Sequence, residues 1–249
     1  MYSLEDRDAA RDQVLQMAAS DPRVVAGAVV GSLAHGGGDR WSDLDLTFGV
    51  ADNVPMTEVL GDWTRRVVAD LDAVFLFDLP SGETIYRVFL LPEGLQMDLS
   101  FTPASQFGAG GPRFRLLFGQ AHERPYPEPP SAQDLFGWAV AYARDARACI
   151  ERGRMWQAEH SISAVRDNGL TLACRRRALP TRFGRGFDDL SPEVLLTFEP
   201  ALVQSLTREA LLDALAAAVE GLLRESAEAG EMAELAGPRV RELLSTESS

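Results

Sequence analysis

The 249-residue sequence predicts an α+β protein, a small mixed-sheet half followed by an all-helical half. Three observations carry this. Short apolar runs bounded by turn residues, the mark of strands, fall between residues 24 and 118 and then stop. The segment Arg124-Pro125-Tyr126-Pro127-Glu128-Pro129-Pro130 is too proline-dense for a helix or a central strand. Beyond it, apolar residues recur at helical spacing. The expected organisation is one domain at 1–124, a linker at 125–130 and a helical domain at 131–249.

The first half opens with a helix over residues 3 to 19, with Ser3 as N-cap and Asp21-Pro22 as its stop. The apolar run Val24–Val30 predicts a buried strand, and Trp41–Val50 a second one. Asn53–Pro55 is a turn. Thr57–Leu71 is an amphipathic helix that turns Val59, Leu60, Trp63, Val67 and Leu71 inward. Ala73–Asp78 is a third strand. Thr84–Leu91 and Leu95–Phe101 form a hairpin around Pro92-Glu93-Gly94. In the last of these, Leu95, Met97, Leu99 and Phe101 share one face, and Gln96, Asp98 and Ser100 the other. A glycine-rich loop (108–111) precedes a short apolar piece, Phe114–Phe118. In the second half, helical periodicity covers 131–152, 154–178, 207–229 and 231–245.

The chemistry concentrates between Gly31 and Leu46. On a strand, Asp43 and Asp45 project from one face while Leu44 and Leu46 turn to the other. Two carboxylates that close repel each other, and a cation between them relieves the repulsion. Hard oxygen ligands of this kind suit Mg²⁺, which binds through one or two carboxylates together with substrate phosphates. The preceding turn matches that partner. Gly31 lets a phosphate approach the backbone, Ser32 offers a hydroxyl, and a helix starting in this loop adds N–H groups for an anion. His35 lies in the same turn, which Gly37-Gly38 lengthen. Asp98 stands on the polar face of its strand, and Asp78 at the end of the third strand.

Composition narrows the partners. The net charge of −13 argues against long nucleic acids and favours small neutral or cationic molecules. The chain has no lysine: all 24 basic residues are arginine, so any side chain gripping a phosphate is a guanidinium fork. Cys149 and Cys174 imply no disulfide framework, and the three histidines have no metal-ligand spacing. No apolar run reaches a membrane span, and the polar N-terminus is not a secretory signal, which predicts a cytoplasmic protein. Monomer and homodimer are both open.

In the helical half, Met155, Ala158, Ile162, Val165, Gly169 and Leu172 form a core stripe on 154–178. Beside it run Trp156, Glu159, His160, Ser163, Arg166, Asp167 and Leu170. Such a stripe either lines a cleft or is a solvated face with ion pairs such as Glu159 to Arg166. The loop Arg182–Asp189 pairs arginines with aspartates. Its Arg185 is a candidate for phosphate and its Asp188 for a cation.

Gly31-Ser32, Gly36 and Ser42-Asp43-Leu44-Asp45-Leu46 resemble the signature of the nucleotidyltransferase superfamily that includes DNA polymerase β. The helical second half resembles the antibiotic-modifying members, the aminoglycoside and lincosamide nucleotidyltransferases. The resemblance implies a nucleotidyltransferase domain that binds Mg²⁺ at Asp43, Asp45 and Asp98. It implies a nucleotide donor, ATP ahead of GTP, with Gly31, Ser32 and Ser42 on the nucleotide. A third carboxylate, Asp98 first and Asp78 second, would complete the second metal site or act as general base. A carboxylate of the helical domain, Glu159 first and Asp167 second, would bind or deprotonate a small-molecule acceptor. Transfer of AMP to a protein or tRNA, and nucleotide binding without catalysis, are the alternative readings.

Overall fold

The computed structural model describes residues 2–36, 38–126 and 128–244. Gly37, Pro127 and residues 245–249, which enter the expectations above, lie outside them. The chain divides into two compact units, Met1–Pro127 and Glu128–Ser249. The fold is α+β, with a mixed six-stranded sheet in the first unit and helices in the second.

The first unit starts with α1 (Leu4–Ser20). Ser3 caps it in a reciprocal box with Asp6. Then come β1 (Val24–Val30), a 3₁₀ turn (Gly31–His35), β2 (Leu44–Val50), α2 (Met56–Leu71) and the hairpin β3 (Val74–Ser81)–β4 (Thr84–Leu90). β5 (Gln96–Pro103) and β6 (Phe114–Phe118) complete the sheet in the order β3-β4-β5-β2-β1-β6. All neighbours are antiparallel except β2 and β5, which run parallel with Asp45 beside Asp98. β3 is an edge strand and extends past the predicted Asp78 to Ser81, because it pairs with β4 along its whole length around Gly82.

One face of the sheet is apolar. Leu44, Leu46 and Phe48 of β2, Met97, Leu99 and Phe101 of β5, and Phe89 of β4 are buried in one core with Val14 and Met17 of α1 and Val59, Trp63 and Val67 of α2. Phe48, Trp63 and Phe101 meet there with ring centroids 5.0–5.7 Å apart. The alternation of apolar and polar residues on β2 and β5 thus decides which face carries chemistry: the other one.

Asp21 ties α1 to this core. Its carboxylate accepts bonds from the Arg23 guanidinium (2.8–2.9 Å) and from the Trp63 indole N–H (3.0 Å). Chiefly through Arg23, its pKa is lowered to about 2. A carboxyl lowered on folding stabilises the protein above its unfolded value, and that contribution fades as pH falls through the folded value. Asp21 is therefore expected to supply about 2 kcal/mol at neutral pH, lost between about pH 4 and pH 2. Urea unfolding of the protein and of Asp21→Asn should show two stabilities that converge over that interval. Parallel curves would contradict the assignment.

The second unit holds α3 (Ala132–Glu151), α4 (Met155–Arg176), α5 (Pro192–Phe198), α6 (Arg208–Glu225) and α7 (Glu231–Glu242). Ala158, Ile162, Val165 and Leu172 of α4 are buried against α3 and α6, as the core stripe predicts. The short helix α5 has no counterpart in the sequence reading. Its Phe198 ring lies over Gly169 of α4 and Gly221 of α6, where an added Cβ would come within 2.6 Å. Leu170, predicted on the polar stripe, is instead buried with Leu190, Val194 and Phe198, because α5 covers that side of α4.

Candidate metal and phosphate site

Asp43, Asp45 and Asp98 come together on the polar face of the sheet. One carboxylate oxygen from each lies within 4.8 Å of the others, and all three residues are partly buried. Asp45 and Asp98 are direct neighbours across the parallel β2–β5 pair, so their side chains leave the same face. Asp43 departs from expectation. β2 begins at Leu44, so Asp43 sits in the loop before the strand. The reason is local. The Ser42 hydroxyl donates to the Asp39 carboxylate (3.1 Å) and accepts from the Asp39 N–H (3.0 Å), which closes a turn over 39–42. Asp78, the alternative third carboxylate, points away: it forms an ion pair with Arg87 (2.6 Å) on the face that packs against α2.

Burial pushes the Asp98 carboxyl above its ordinary pKa, the Gln96 amide donating at 3.0 Å opposes this, and the charge of Asp43 adds to it. A divalent cation is the partner that such a set of oxygens fits.

The turn after β1 is built around Asp45. Gly31 adopts φ +71°, and a Cβ there would fall 2.2 Å from Asp45 Oδ2. Only glycine leaves room for that carboxylate over the backbone. The Gly31 N–H is already engaged, donating to the Arg113 carbonyl (3.2 Å). The helix envisaged after it is a five-residue 3₁₀ turn, Gly31–His35. Ser32 Oγ is buried and has no hydrogen-bond partner. A buried hydroxyl without a partner is costly unless something else completes it, and a phosphate oxygen is such a group. The residues present therefore fit a divalent cation and a phosphate together. His35 of the same turn bonds the Pro112 carbonyl through Nε2 (3.0 Å).

Three residues missed in the sequence hold this loop. Arg7 of α1, 5 % exposed, donates to the carbonyls of Asp39 and Ser42, and the Tyr2 hydroxyl donates to the latter as well. Arg115 of β6 donates from Nε to the Ala34 carbonyl (2.9 Å). The signal for Arg7 was a lone basic residue on the inward stripe of α1, beside Ala10 and Val14.

The remaining candidates lie in the second unit. Glu159 on α4 accepts a bond from the Ser163 hydroxyl (2.8 Å). Arg166 is paired with Asp167 (2.8 Å). Trp156 is exposed. Arg185 is exposed in its loop, with its guanidinium 5.6 Å from the Phe183 ring.

No family model matches the chain, and no curated protein matches it. Among solved structures the chain is similar to an aminoglycoside 6-adenyltransferase from Bacillus subtilis, with a TM-score of 0.40 and 13% sequence identity over 98% of this chain and 99% of that one. No described helix is long and apolar enough to cross a membrane.

Proposed function

We propose that the chain is a Mg²⁺-dependent nucleotidyltransferase that moves a nucleoside monophosphate, AMP from ATP, onto a hydroxyl of a small molecule, an aminoglycoside- or lincosamide-like antibiotic. The observation that carries this reading is the convergence of Asp43, Asp45 and Asp98 within 4.8 Å of one another, with Asp45 over Gly31 beside a partnerless buried hydroxyl.

Asp43, Asp45 and Asp98 would hold the metal. Bound there, divalent ions supply neutralisation of the triphosphate and activation of the acceptor hydroxyl. Gly31 leaves room for the Asp45 carboxylate over the turn, and the Ser32 hydroxyl donates to a phosphate oxygen. Ser42 locks the loop that presents Asp43. The acceptor oxygen forms a bond to the α-phosphorus, the bond to the bridging oxygen breaks, and pyrophosphate leaves. The acceptor proton passes to the Asp98 carboxylate as general base. Arg185 serves the nucleotide phosphates as a guanidinium fork. Glu159 grips a polar or cationic group of the acceptor.

The experiment mixes protein, Mg²⁺, ATP or GTP and a panel of antibiotics and measures pyrophosphate. Release that needs both an acceptor and Mg²⁺ is the expected result. No release with any member of the panel would remove the substrate assignment, and full activity in Asp43→Asn would remove the metal assignment. AMP found on protein or RNA in place of a small molecule would redirect the acceptor. Glu159→Gln tests the second unit: its KM for the acceptor is expected to rise about tenfold, the worth of one charge-assisted hydrogen bond, with the KM for ATP unchanged. An unchanged acceptor KM would return Glu159 to a solvated helix face.

A further inference from the structure

We infer that the acceptor binds with an apolar or aromatic body seated on the outer strands of the sheet, next to the carboxylates. The inference rests on the transferase reading above and names the acceptor's chemistry.

Strand pairing lays the site out in a row. The turn at Gly31–Ser32 follows β1, and Asp45 stands next on β2. Asp98 follows on β5. Opposite Asp98 on β4 is Val88, and opposite Val88 on β3 is Phe77. Directly paired residues share a face, so Val88 and Phe77 continue the carboxylate face outward. Their neighbours Tyr86 and Leu79, paired with each other, lie on it too. A bulge between Phe75 and Phe77 resets the alternation of β3, so that Phe77 joins this face while Phe75 stacks on core Phe89.

Val88 is buried, but Phe77 is 53% exposed, Leu79 56% and Tyr86 40%. An apolar patch of this kind beside a polar site marks a binding surface. It is also uncharged: Asp78, the carboxylate of β3, is turned to the other face and held by Arg87.

Direction decides what occupies it. In-line displacement puts the attacking and leaving oxygens on opposite sides of the α-phosphorus. With the outer phosphates on the Gly31–Ser32 side of Asp45, the acceptor oxygen arrives from the Asp98 side. The body behind that oxygen then lies over β4 and β3. Phe77 stands two strands from Asp98, about 10 Å, which is the reach of a ring carrying its hydroxyl-bearing substituent. An apolar or aromatic body covers this patch, which narrows the acceptor class proposed above: a wholly polar polycation, the aminoglycoside-like case, would leave it against charge.

The test titrates the full chain, loaded with Mg²⁺ and α,β-methylene-ATP, with phenyl β-D-glucopyranoside and separately with methyl β-D-glucopyranoside, followed by ligand-observed NMR. The phenyl compound is expected to bind at least about tenfold tighter, the gain for burying roughly two methylenes' worth of apolar contact. Phe77→Ser/Leu79→Ser, both at exposed positions, should abolish that preference and leave nucleotide affinity unchanged. Equal binding of the two glucosides, or a preference that survives the double substitution, would overturn the proposal. So would sedimentation showing that the substitutions turn a dimer into a monomer, which would give the patch to a second copy. Failure of the wild type to bind Mg²⁺ and the nucleotide analogue would instead overturn the transferase reading itself.

Discussion

Asp98→Asn is expected to lose catalysis and gain stability together. The amide cannot take the acceptor proton and is a poor metal ligand, so kcat should fall by about a thousandfold or more, some 4 kcal/mol of transition-state stabilisation. Asp43 and Asp45, beside the Gly31 turn, remain, so the affinity for Mg·ATP should change by no more than about threefold. That split in kcat against nucleotide affinity marks a group acting on the acceptor side. Stability moves the other way. Burial and the charge of Asp43 raise the Asp98 pKa in the folded protein, so the ionised carboxylate at neutral pH weighs against folding in the metal-free state. Removing the charge should raise the metal-free Tm by a few degrees at pH 7. The gain should vanish in acid, where Asp98 is protonated in both states. Calorimetry with chelator at pH 7 and near pH 3 measures this. A lowered Tm at pH 7 would mean that Asp98 is a structural carboxylate.

Gly31→Ala carries the second large effect, because two costs meet at one atom. A side chain at φ +71° costs about 1 kcal/mol, and the new Cβ would overlap Asp45 Oδ2 at 2.2 Å. The overlap adds about 1–3 kcal/mol unless Asp45 swings aside. Either way the carboxylate leaves its place, so activity should fall at least about a hundredfold. Gly36→Ala is the internal control. Gly36 has nearly the same backbone, φ +75°, but nothing lies within 4 Å of its added Cβ. It should cost about 1 kcal/mol and leave turnover within about twofold. Equal losses of activity in the two variants would show that the backbone of the turn matters, and the space over Gly31 does not.

Much of this site was legible because strand alternation is local. Leu44 and Leu46 against Asp45, and Met97 and Leu99 against Asp98, announced their faces in the sequence. The meeting of the two faces was not announced, since β2 and β5 are parallel neighbours more than fifty residues apart and their register is set by the sheet as a whole. The same holds for the loop. Asp43 was placed on a strand because the pattern continues through it, yet the Asp39–Ser42 turn and the clamp from Arg7 hold it off the sheet. The apolar side of the site was hidden by the bulge in β3, which shifts Phe77 and Leu79 to the carboxylate face. In the second unit, α5 buries Leu170, which periodicity alone places on the polar stripe beside the core.

Binding of Mn²⁺, watched by electron paramagnetic resonance with and without α,β-methylene-ATP, tests the central claim most directly. The expected result is about two ions bound per chain in the presence of the nucleotide analogue, with binding lost in Asp45→Asn at the same concentrations. Mn²⁺ binding that is independent of the nucleotide and unaltered by Asp45→Asn would contradict it.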